Sequence, residues 1–315
     1  MLPLFDEPSG FDRVRLAQKL RALAEKGIYI GGSSWKYEGW LGQIYTPERY
    51  FTRGKFSQKR FEETCLNEYA ETFPIVCGDF SFYQFPSEQF WAKLFASAPR
   101  HLKFGFKVPE EITVRRFPVH PRYGPRAGMD NPTFLNAEML DAAFLQPLRN
   151  YKDQVAVLIF EFGSFQRGMY AGVDEFLVDL DAFLSRLPQD FAYSVEIRNP
   201  DFLTPGYFEV LNRHGITHVF NAWTRMPPMG SQIVLPGSFT TERIVARALL
   251  RQGRPYEEAV TRFSPYKEIQ DPNPETRTAL KDLMEHARTR RIPAYLFVNN
   301  RLEGNAPITI QDITD

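Results

Sequence analysis

Short runs of apolar, aromatic and β-branched residues alternate along this chain with longer stretches in which apolar residues recur every three or four positions. The short runs are typical of strands buried on both faces, and the longer stretches are typical of crossover helices. Such alternation predicts a parallel sheet. Eight candidate strands lie at residues 28–31, 75–79, 103–108, 155–160, 192–197, 216–220, 243–249 and 294–298. The pattern therefore predicts an α/β protein formed by a single (β/α)8 barrel, the TIM-barrel fold.

The segments between the candidate strands predict helices and two long loops. Helical periodicity predicts an opening helix and six others, over residues 11–26, 57–72, 87–98, 133–145, 173–187, 205–214 and 275–291. Residues 243–249 also have a plausible helical face, so the pattern leaves strand and helix open there. Segments 109–132 and 221–240 lack periodicity and predict long loops after the third and sixth strands, and such loops are usually functional or mobile. Residues 1–10 are predicted to form a flexible tail.

Length and charge fit one barrel of ordinary composition. The chain has 315 residues, and a β/α barrel needs about 250, so one domain over residues 1–315 is predicted. The 38 Lys and Arg residues balance the 38 Asp and Glu residues. Charge therefore gives no general argument for a nucleic acid or a membrane as a partner.

The cysteines and the apolar runs bear on the cellular location. Cys65 and Cys77 are the only cysteines, too few for a disulfide scaffold and without the spacing of a zinc site. The N-terminal segment has acidic residues and no apolar core of a signal peptide, and no apolar run approaches the roughly 18 residues of a membrane span. We therefore expect a cytoplasmic protein, and the sequence leaves its oligomeric state open.

Polar and aromatic residues gather where the candidate strands end. In a β/α barrel the active site lies at the carboxyl ends of the strands, so these residues are the first candidates for a shared site. As ligand-binding residues we select Ser34, Trp35, Tyr37, Trp40, Asp79, Tyr83, Arg198, Asn221, Trp223, Asn299, Asn300, Glu303 and Asn305. As catalytic residues we select Glu196, Glu161 and Lys107.

Five segments carry a family resemblance. They are IYIGGSSWKYEGW (28–40), FSFYQFP (80–86), FGFKVPEEIT (104–113), YSVEIRNPDF (193–202) and FVNNRLEGNAP (297–307). Together they resemble the YecE-like family, a bacterial and archaeal group of β/α barrels classed as a domain of unknown function. The resemblance covers nearly the whole chain and implies the fold, but no reaction. It also implies that the barrel mouth is lined by Trp35, Tyr37, Trp40, Tyr83, Lys107, Glu196, Arg198, Asn299, Asn300, Glu303 and Asn305.

Departures from the family pattern change the charge expected in the pocket. Relatives usually have a Glu, a hydrophobic residue and an Asn where this chain has Cys77, Gly78 and Asp79. Glu161 stands in a segment where the family commonly carries Gln, and Asn221 replaces the usual Asp. The family's His after the lysine-strand motif is Val114 here. The chain therefore resembles a divergent branch of the family.

The two glutamates suggest acid–base chemistry. Glu161 and Glu196 are expected at the ends of neighbouring strands, and two carboxylates with separated pKa values form a common acid–base arrangement. Lys107 and Arg198 are suited to anchoring an anion, and Lys107 is also a candidate amine nucleophile. The first hypothesis is a metal-independent enzyme acting on a small polar or anionic substrate, phosphorylated ones included. The alternative for Glu196 is an inward ion pair with Lys107 or Arg198 that only organises the barrel.

Two further functions remain open, and whether the protein is an enzyme is itself left open. The loop from Arg115 to Arg126 mixes four arginines with aromatic rings, which suits a nucleic-acid-binding or nuclease-like barrel with Mg²⁺ near Asp79, Glu161 and Glu196. In a neutral protein, pairing of these arginines with surface acids is favoured over nucleic acid. A non-catalytic barrel that binds a small molecule or anion is the third hypothesis. The five scattered His residues and the lack of a dinucleotide or P-loop motif predict no metal and no cofactor.

Overall fold

The eight predicted strands form a closed parallel barrel. The computed structural model describes residues 10–166 and 168–315, so the tail predicted for residues 1–10 lies, apart from its last residue, outside the described residues. The barrel strands are β1 (Ile28–Gly32), β4 (Ile75–Gly78), β5 (Lys103–Lys107), β6 (Val155–Phe162), β7 (Tyr193–Ile197), β8 (Thr217–Ala222), β9 (Ile244–Ala248) and β10 (Ala294–Val298). Each pairs with the next along the chain, and β10 closes on β1. The predicted (β/α)8 barrel is confirmed, and the ambiguous segment 243–249 is a strand.

Helices cover the outside of the barrel. They are α1 (Arg13–Ala24), α2 (Gln58–Thr72), α3 (Glu88–Ser97), α4 (Glu110–Thr113), α5 (Ala137–Leu140), α6 (Gln146–Leu148), α7 (Val173–Leu184), α8 (Pro205–Arg213), α9 (Met229–Ile233), α10 (Tyr256–Phe263), α11 (Pro274–Arg290) and α12 (Ala306–Thr314). A π-helical turn, Asp141–Leu145, joins α5 to α6. Among the described residues, no helix is both long enough and apolar enough to cross a membrane.

Local side chains begin several of these helices. The hydroxyl of Ser57 accepts the amide of Arg60 at the start of α2, and that of Ser87 accepts the amide of Phe90 at the start of α3. Such N-caps satisfy amides that have no partner within the helix. The sequence therefore encodes the start of both helices directly.

The structure adds elements that the sequence pattern did not predict. A short hairpin of β2 (Phe51–Thr52) and β3 (Lys55–Phe56) precedes α2, and α10 and α12 were not predicted. The sequence of α12 is rich in β-branched residues, which have low helix propensity. Its cap at Asn305 and the burial of Ile310 and Ile313 stabilise it instead. The two predicted long loops contain the short helices α4 and α9.

The side chains that point into the barrel change from apolar to polar at the same level on several strands. An interior cluster includes Cys77, Ile159, Val219, Val245 and Phe297. Successive side chains on one face of a strand are two residues apart. The next inward positions along these strands are therefore polar, and they are Asp79, Glu161, Asn221, Arg247 and Asn299. This polar layer lies at the carboxyl ends of the strands.

A buried histidine on the outer face of β8 makes the fold sensitive to acid. His218 is almost fully buried against the rings of Tyr207, Phe208 and Phe220, and its Nδ1 lies 3.3 Å from the Tyr207 hydroxyl. Burial lowers the pKa of His218 to about 3, because the apolar surroundings disfavour the charged ring. Since the folded pKa is depressed, the unfolded state takes up the proton first as the pH falls below about 6.5.

We expect the buried His218 to lower the free energy of unfolding by about 2 kcal/mol as the pH falls from 7 to 5. Over about 1.5 pH units of this range the unfolded state binds a proton that the folded state does not. In His218→Gln, the free energy of unfolding in urea should vary less over this range, since Gln does not titrate. The exposed His120→Gln is the matched control. Equal pH dependence in wild type and His218→Gln would contradict the assignment.

Candidate functional site

Arg247 is the centre of the polar layer. It follows Val245 on the inward face of β9 and its side chain is 1% exposed. One terminal nitrogen, Nη1, donates to Glu161 Oε2 at 2.7 Å and also to Glu196, and Nη2 donates to Asp79 Oδ1 at 3.0 Å. A single guanidinium thus connects carboxylates from three strand ends. Burial opposes charge on Arg247, yet these carboxylates raise its pKa well above its usual value.

Two further cations contact the same glutamates. Lys107 Nζ lies 2.8 Å from Glu161 Oε2, and Arg198 Nη2 lies 2.7 Å from the same oxygen. Arg198 Nε donates to Glu196 Oε1 at 2.9 Å. Glu161 and Glu196 face each other in the register of β6 and β7, which explains why Arg198 reaches both. The inward ion pair between Glu196 and Arg198 is present, whereas Lys107 pairs with Glu161.

The electrostatics fix the protonation of Glu161. Burial alone raises the pKa of a carboxyl group, but Arg198, Lys107 and Arg247 together hold the pKa of Glu161 well below its usual value. An ionised carboxylate with three cations on one oxygen is a poor general acid. Glu196 is fully buried and has both oxygens bound by arginines. This geometry speaks against the expected acid–base role of the two glutamates.

The network balances its charges. Three cations and three carboxylates meet, and they are Lys107, Arg198, Arg247, Asp79, Glu161 and Glu196. Removing charges from water costs several kcal/mol per ion, and apolar replacements of a buried pair are often as stable. A network of this size is therefore weak evidence for stability. Clusters of charged groups with shifted pKa values are typical of functional sites, so the network makes the barrel mouth the candidate functional site.

Aromatic side chains cover the network. The Lys107 ammonium lies 3.6 Å from the centre of the Phe82 ring, and the Arg198 guanidinium lies 3.7 Å from that of Trp223. Tyr83 is 60% exposed, and the guanidinium of Arg122 lies 4.9 Å from its ring. The predicted residues Tyr83 and Trp223 therefore lie beside the charged groups. In the same layer, Asn221 donates through Nδ2 to the carbonyl of Ile197, while its Oδ1 has no partner among the described residues.

Other predicted residues hold the loop after β10. Trp40 Nε1 and the amide of Ala306 both donate to Asn300 Oδ1, and Asn299 donates to Ser33. Asn305 caps α12. These side chains bind the chain itself, so their selection as ligand-binding residues has no support from the geometry.

Glu303 and Tyr37 are also held by the fold. Glu303 is buried and accepts hydrogen bonds from Arg277 and Thr309. Tyr37 packs against Trp40 and Tyr266, and burial raises its pKa to about 12. Glu303 is therefore bound by the chain itself, whereas the Tyr37 hydroxyl lies close enough to Asp79 for that carboxylate to contribute to its raised pKa.

Ser34 and Trp35 lie elsewhere. They line a cavity of about 790 Å³ between α2 and α3, and this cavity also reaches Asp79. Asp79, with its side chain 31% exposed, is therefore the network carboxylate that meets open space. The predicted site thus divides into a charged mouth and a lateral cavity that share one residue.

The arginines of the loop after β5 are occupied. Arg115 pairs with Asp179 at 3.2 Å and Arg116 with Asp130 at 2.6 Å. The other two arginines of the loop pair with acids of α4, Arg122 with Glu110 at 2.6 Å and Arg126 with Glu111 at 2.9 Å. All four side chains thus have a local acidic partner, and the structure gives no argument for a nucleic acid here.

The carboxylates of the mouth also do not suit a divalent ion. Mg²⁺ binds oxygen ligands, and the oxygens in question face three cations within hydrogen-bond distance. Within residues 10–166 and 168–315 no group of three or more His, Cys, Asp or Glu side chains could hold a metal ion. The expectation about metals stays a prediction, and the structure adds no candidate site.

Sequence reasoning missed Arg247. It lies in the segment whose strand character was ambiguous, so its inward position went unnoticed. The alternation of Val245 and Arg247 in IVARA is the signal that could have revealed it, once that segment is assigned as a strand.

A closed parallel barrel with a charged network at the carboxyl ends of its strands defines a (β/α)8 protein with its candidate site at the mouth. This chain belongs to the DUF72 family, which is described as a protein of unknown function. The model of that family matches residues 29–315. This is the YecE-like family that the five sequence segments resemble.

Two solved structures of that family have the same fold. A DUF72 protein from Thermotoga maritima MSB8 is 20% identical with a TM-score of 0.58, over 91% of this chain and 97% of that one. One from Enterococcus faecalis V583 is 15% identical with a TM-score of 0.58, over 91% of this chain and 95% of that one. No curated protein matches the chain. At these identities the likeness extends to the fold alone.

Proposed function

We propose that this protein is a barrel that binds a small anionic molecule at its mouth, above Lys107 and Arg198. The proposal is based on a difference in hydrogen bonding between the glutamates and the cations of the network. Both glutamates are held by cations, whereas Lys107 and Arg198 keep hydrogen-bond donors that no hydrogen bond within the described residues uses. The proposal favours binding over acid–base catalysis by Glu161 and Glu196.

The spare donors can be identified atom by atom. Arg198 uses Nε and Nη2 for the glutamates, and no hydrogen bond within the described residues uses its Nη1. The Lys107 ammonium has three N–H donors, and Glu161 accepts one of them. The side chains of Lys107 and Arg198 are 8% and 11% exposed, against 1% for Arg247. These two are therefore the more accessible of the network's three cations.

The surroundings suit an anion of limited size. Charge-assisted hydrogen bonds from guanidinium and ammonium groups to phosphate or carboxylate are short and strong. The rings of Phe82 and Trp223 limit access of water to the two cations, which strengthens such bonds. The glutamates beneath act as positioning residues that fix the cations before the ligand arrives.

The first test is thermal stabilisation by ligands. A library of small phosphates and carboxylates should contain compounds that raise the melting temperature of the wild-type protein, because a ligand that binds only the folded state stabilises it. In Lys107→Met the shift should disappear, since the ammonium that meets the anion is gone. Lys103→Met is the matched control: Lys103 begins the same strand at the opposite end of the barrel, and its ammonium donates to the backbone carbonyl of Asp153.

Loss of the thermal shift in both variants, or in neither, would contradict the proposed position of the ligand. The melting temperature of each unliganded variant gives its own baseline. A shift that survives in Lys107→Met but vanishes in Arg198→Met would place the anion on Arg198 alone and overturn the two-cation arrangement.

Turnover is a second candidate, and Asp79 favours it. Its side chain is the most exposed of the three network carboxylates, and only Oδ1 is bound by Arg247. A partly free carboxylate is available for proton transfer. Nuclear magnetic resonance of each bound compound over hours separates the two functions: consumption by the wild type that is lost in Asp79→Asn establishes an enzyme, and unchanged compound supports a binding protein.

A further inference from the structure

The lateral cavity between α2 and α3 has the walls of a ligand site. Its volume of about 790 Å³ lies within the range of about 300–1,000 Å³ that is usual for small-molecule pockets. Trp35, Leu66 and Leu94 form a buried apolar wall. Phe80 and Phe90 complete it, with ring centres 4.9 Å apart. The cavity therefore offers an apolar interior to a ring or a chain.

An apolar side chain stands exposed at this cavity. Phe90 is 41% exposed, although α3 has a buried face available to large apolar residues. Large exposed rings beside a cavity are typical of binding surfaces. The ring is positioned to cover an apolar ligand.

Three lysines surround the apolar interior. Lys36 lies after β1, Lys59 on α2 and Lys93 on α3, and all three are exposed. None of them has an ion pair within the described part of the chain, in contrast to the four arginines of the loop after β5. Two acids share the rim: Glu62 accepts a hydrogen bond from Gln58, and Glu63 carries the other negative charge. The rim thus has one net positive charge.

Two further polar residues line the cavity. Asp79 and Ser34 are less exposed than the three lysines, and Asp79 is paired with Arg247 of the mouth. A negative group is attracted by the three lysines, whereas Asp79 and its partner Arg247 balance each other's charge. The electrostatics therefore orient an amphipathic ligand with its anionic group outward and its apolar body inward.

The geometry points to a second ligand site in this cavity, for a small molecule that has an apolar ring or chain and a single anionic group. Such a ligand buries its apolar body against the Trp35 and Phe80 rings and places its head group among Lys36, Lys59 and Lys93. This site is separate from the anion site proposed above Lys107 and Arg198, which requires no apolar body.

The probe for this site is anilinonaphthalenesulfonate, an aromatic molecule with one sulfonate group whose fluorescence rises in an apolar environment. We expect it to bind the wild-type protein and to bind Lys36→Gln/Lys93→Gln roughly tenfold more weakly, because two of the three lysine charges that attract the sulfonate are removed. The matched control is Lys55→Gln/Lys152→Gln, which removes two exposed lysines elsewhere on the surface. This variant should bind the probe as the wild type does.

Competition separates the two parts of the ligand. Octanoate should displace the probe. Octanol should displace it poorly because octanol lacks the charge, and inorganic phosphate should displace it poorly because phosphate lacks the apolar body. Phe90→Ala should weaken binding of the probe, because the Phe90 ring forms part of the apolar wall. Poor competition by inorganic phosphate distinguishes this site from the anion site at the mouth.

Several results would overturn the inference. They are absence of probe binding to the wild type, equal weakening in the two double variants, or displacement by octanol as good as that by octanoate. Circular dichroism of each variant verifies that the fold is retained, since this probe also binds partly unfolded proteins.

Discussion

Replacement of Arg247 by Met should lower the free energy of unfolding by at least about 3–5 kcal/mol, the usual cost of removing one partner from a buried ion pair. Arg247 contacts three carboxylates, and its side chain is 1% exposed. Without it, Lys107 and Arg198 face the negative charge of Asp79, Glu161 and Glu196. The network is then left with one excess negative charge. Urea unfolding followed by circular dichroism measures the change.

Two further variants make this result specific. Arg243→Met removes an arginine just before β9, where its Nη1 lies 3.5 Å from Thr217 Oγ1, and should cost much less. Arg247→Met/Glu196→Met removes one charge of each sign and should recover a large part of the lost stability, because balanced apolar replacement of a buried pair is often near neutral. A small effect of Arg247→Met, no larger than that of Arg243→Met, would contradict the central position of Arg247.

Replacement of Gly31 by Ala should destabilise the protein by more than about 3 kcal/mol and prevent normal closure of the barrel. A Cβ at position 31 would lie 1.8 Å from the carbonyl oxygen of Ile75 and 2.9 Å from the hydroxyl of Tyr69. That hydroxyl accepts the amide of Gly32 and donates to the carbonyl of Ile75, so it bridges β1 and β4. The new methyl group therefore separates the two strands at the point where the barrel closes.

Gly163→Ala is the matched control for this substitution. A Cβ at position 163 meets no atom within 4 Å, so the change should alter the melting temperature only slightly. Soluble yield and thermal unfolding of the two variants give the comparison. Comparable stability of Gly31→Ala and Gly163→Ala would disprove the close approach of β1 and β4 at Gly31.

The fold could be predicted almost completely from the pattern of the chain. Strands buried on both faces appear as short apolar runs, and this is why all eight were found. The elements that were missed are those whose local preference differs from their structure. In α12, for example, packing of Ile310 and Ile313 outweighs the low helix propensity of β-branched residues.

The candidate site could be predicted only in part. Glu161, Glu196, Lys107, Arg198 and Asp79 were selected because they follow apolar runs, and they do meet in one network. Their roles could not be predicted, because protonation and access depend on partners far away along the chain. The carboxylate that was expected to react, Glu196, is fully buried, whereas the Asp79 side chain is partly exposed.

The sequence by itself determined the barrel and the polar layer at the carboxyl ends of its strands. The periodicity of apolar residues is a local property, so it can be recognised in the residues themselves. Only the tertiary structure decided which charges meet: Arg247 and Asp79 are 168 residues apart in sequence and 3.0 Å apart at their nearest polar atoms. Closure of the barrel produces that contact, and it gives the mouth a balanced network and places a lysine-rimmed cavity beside it.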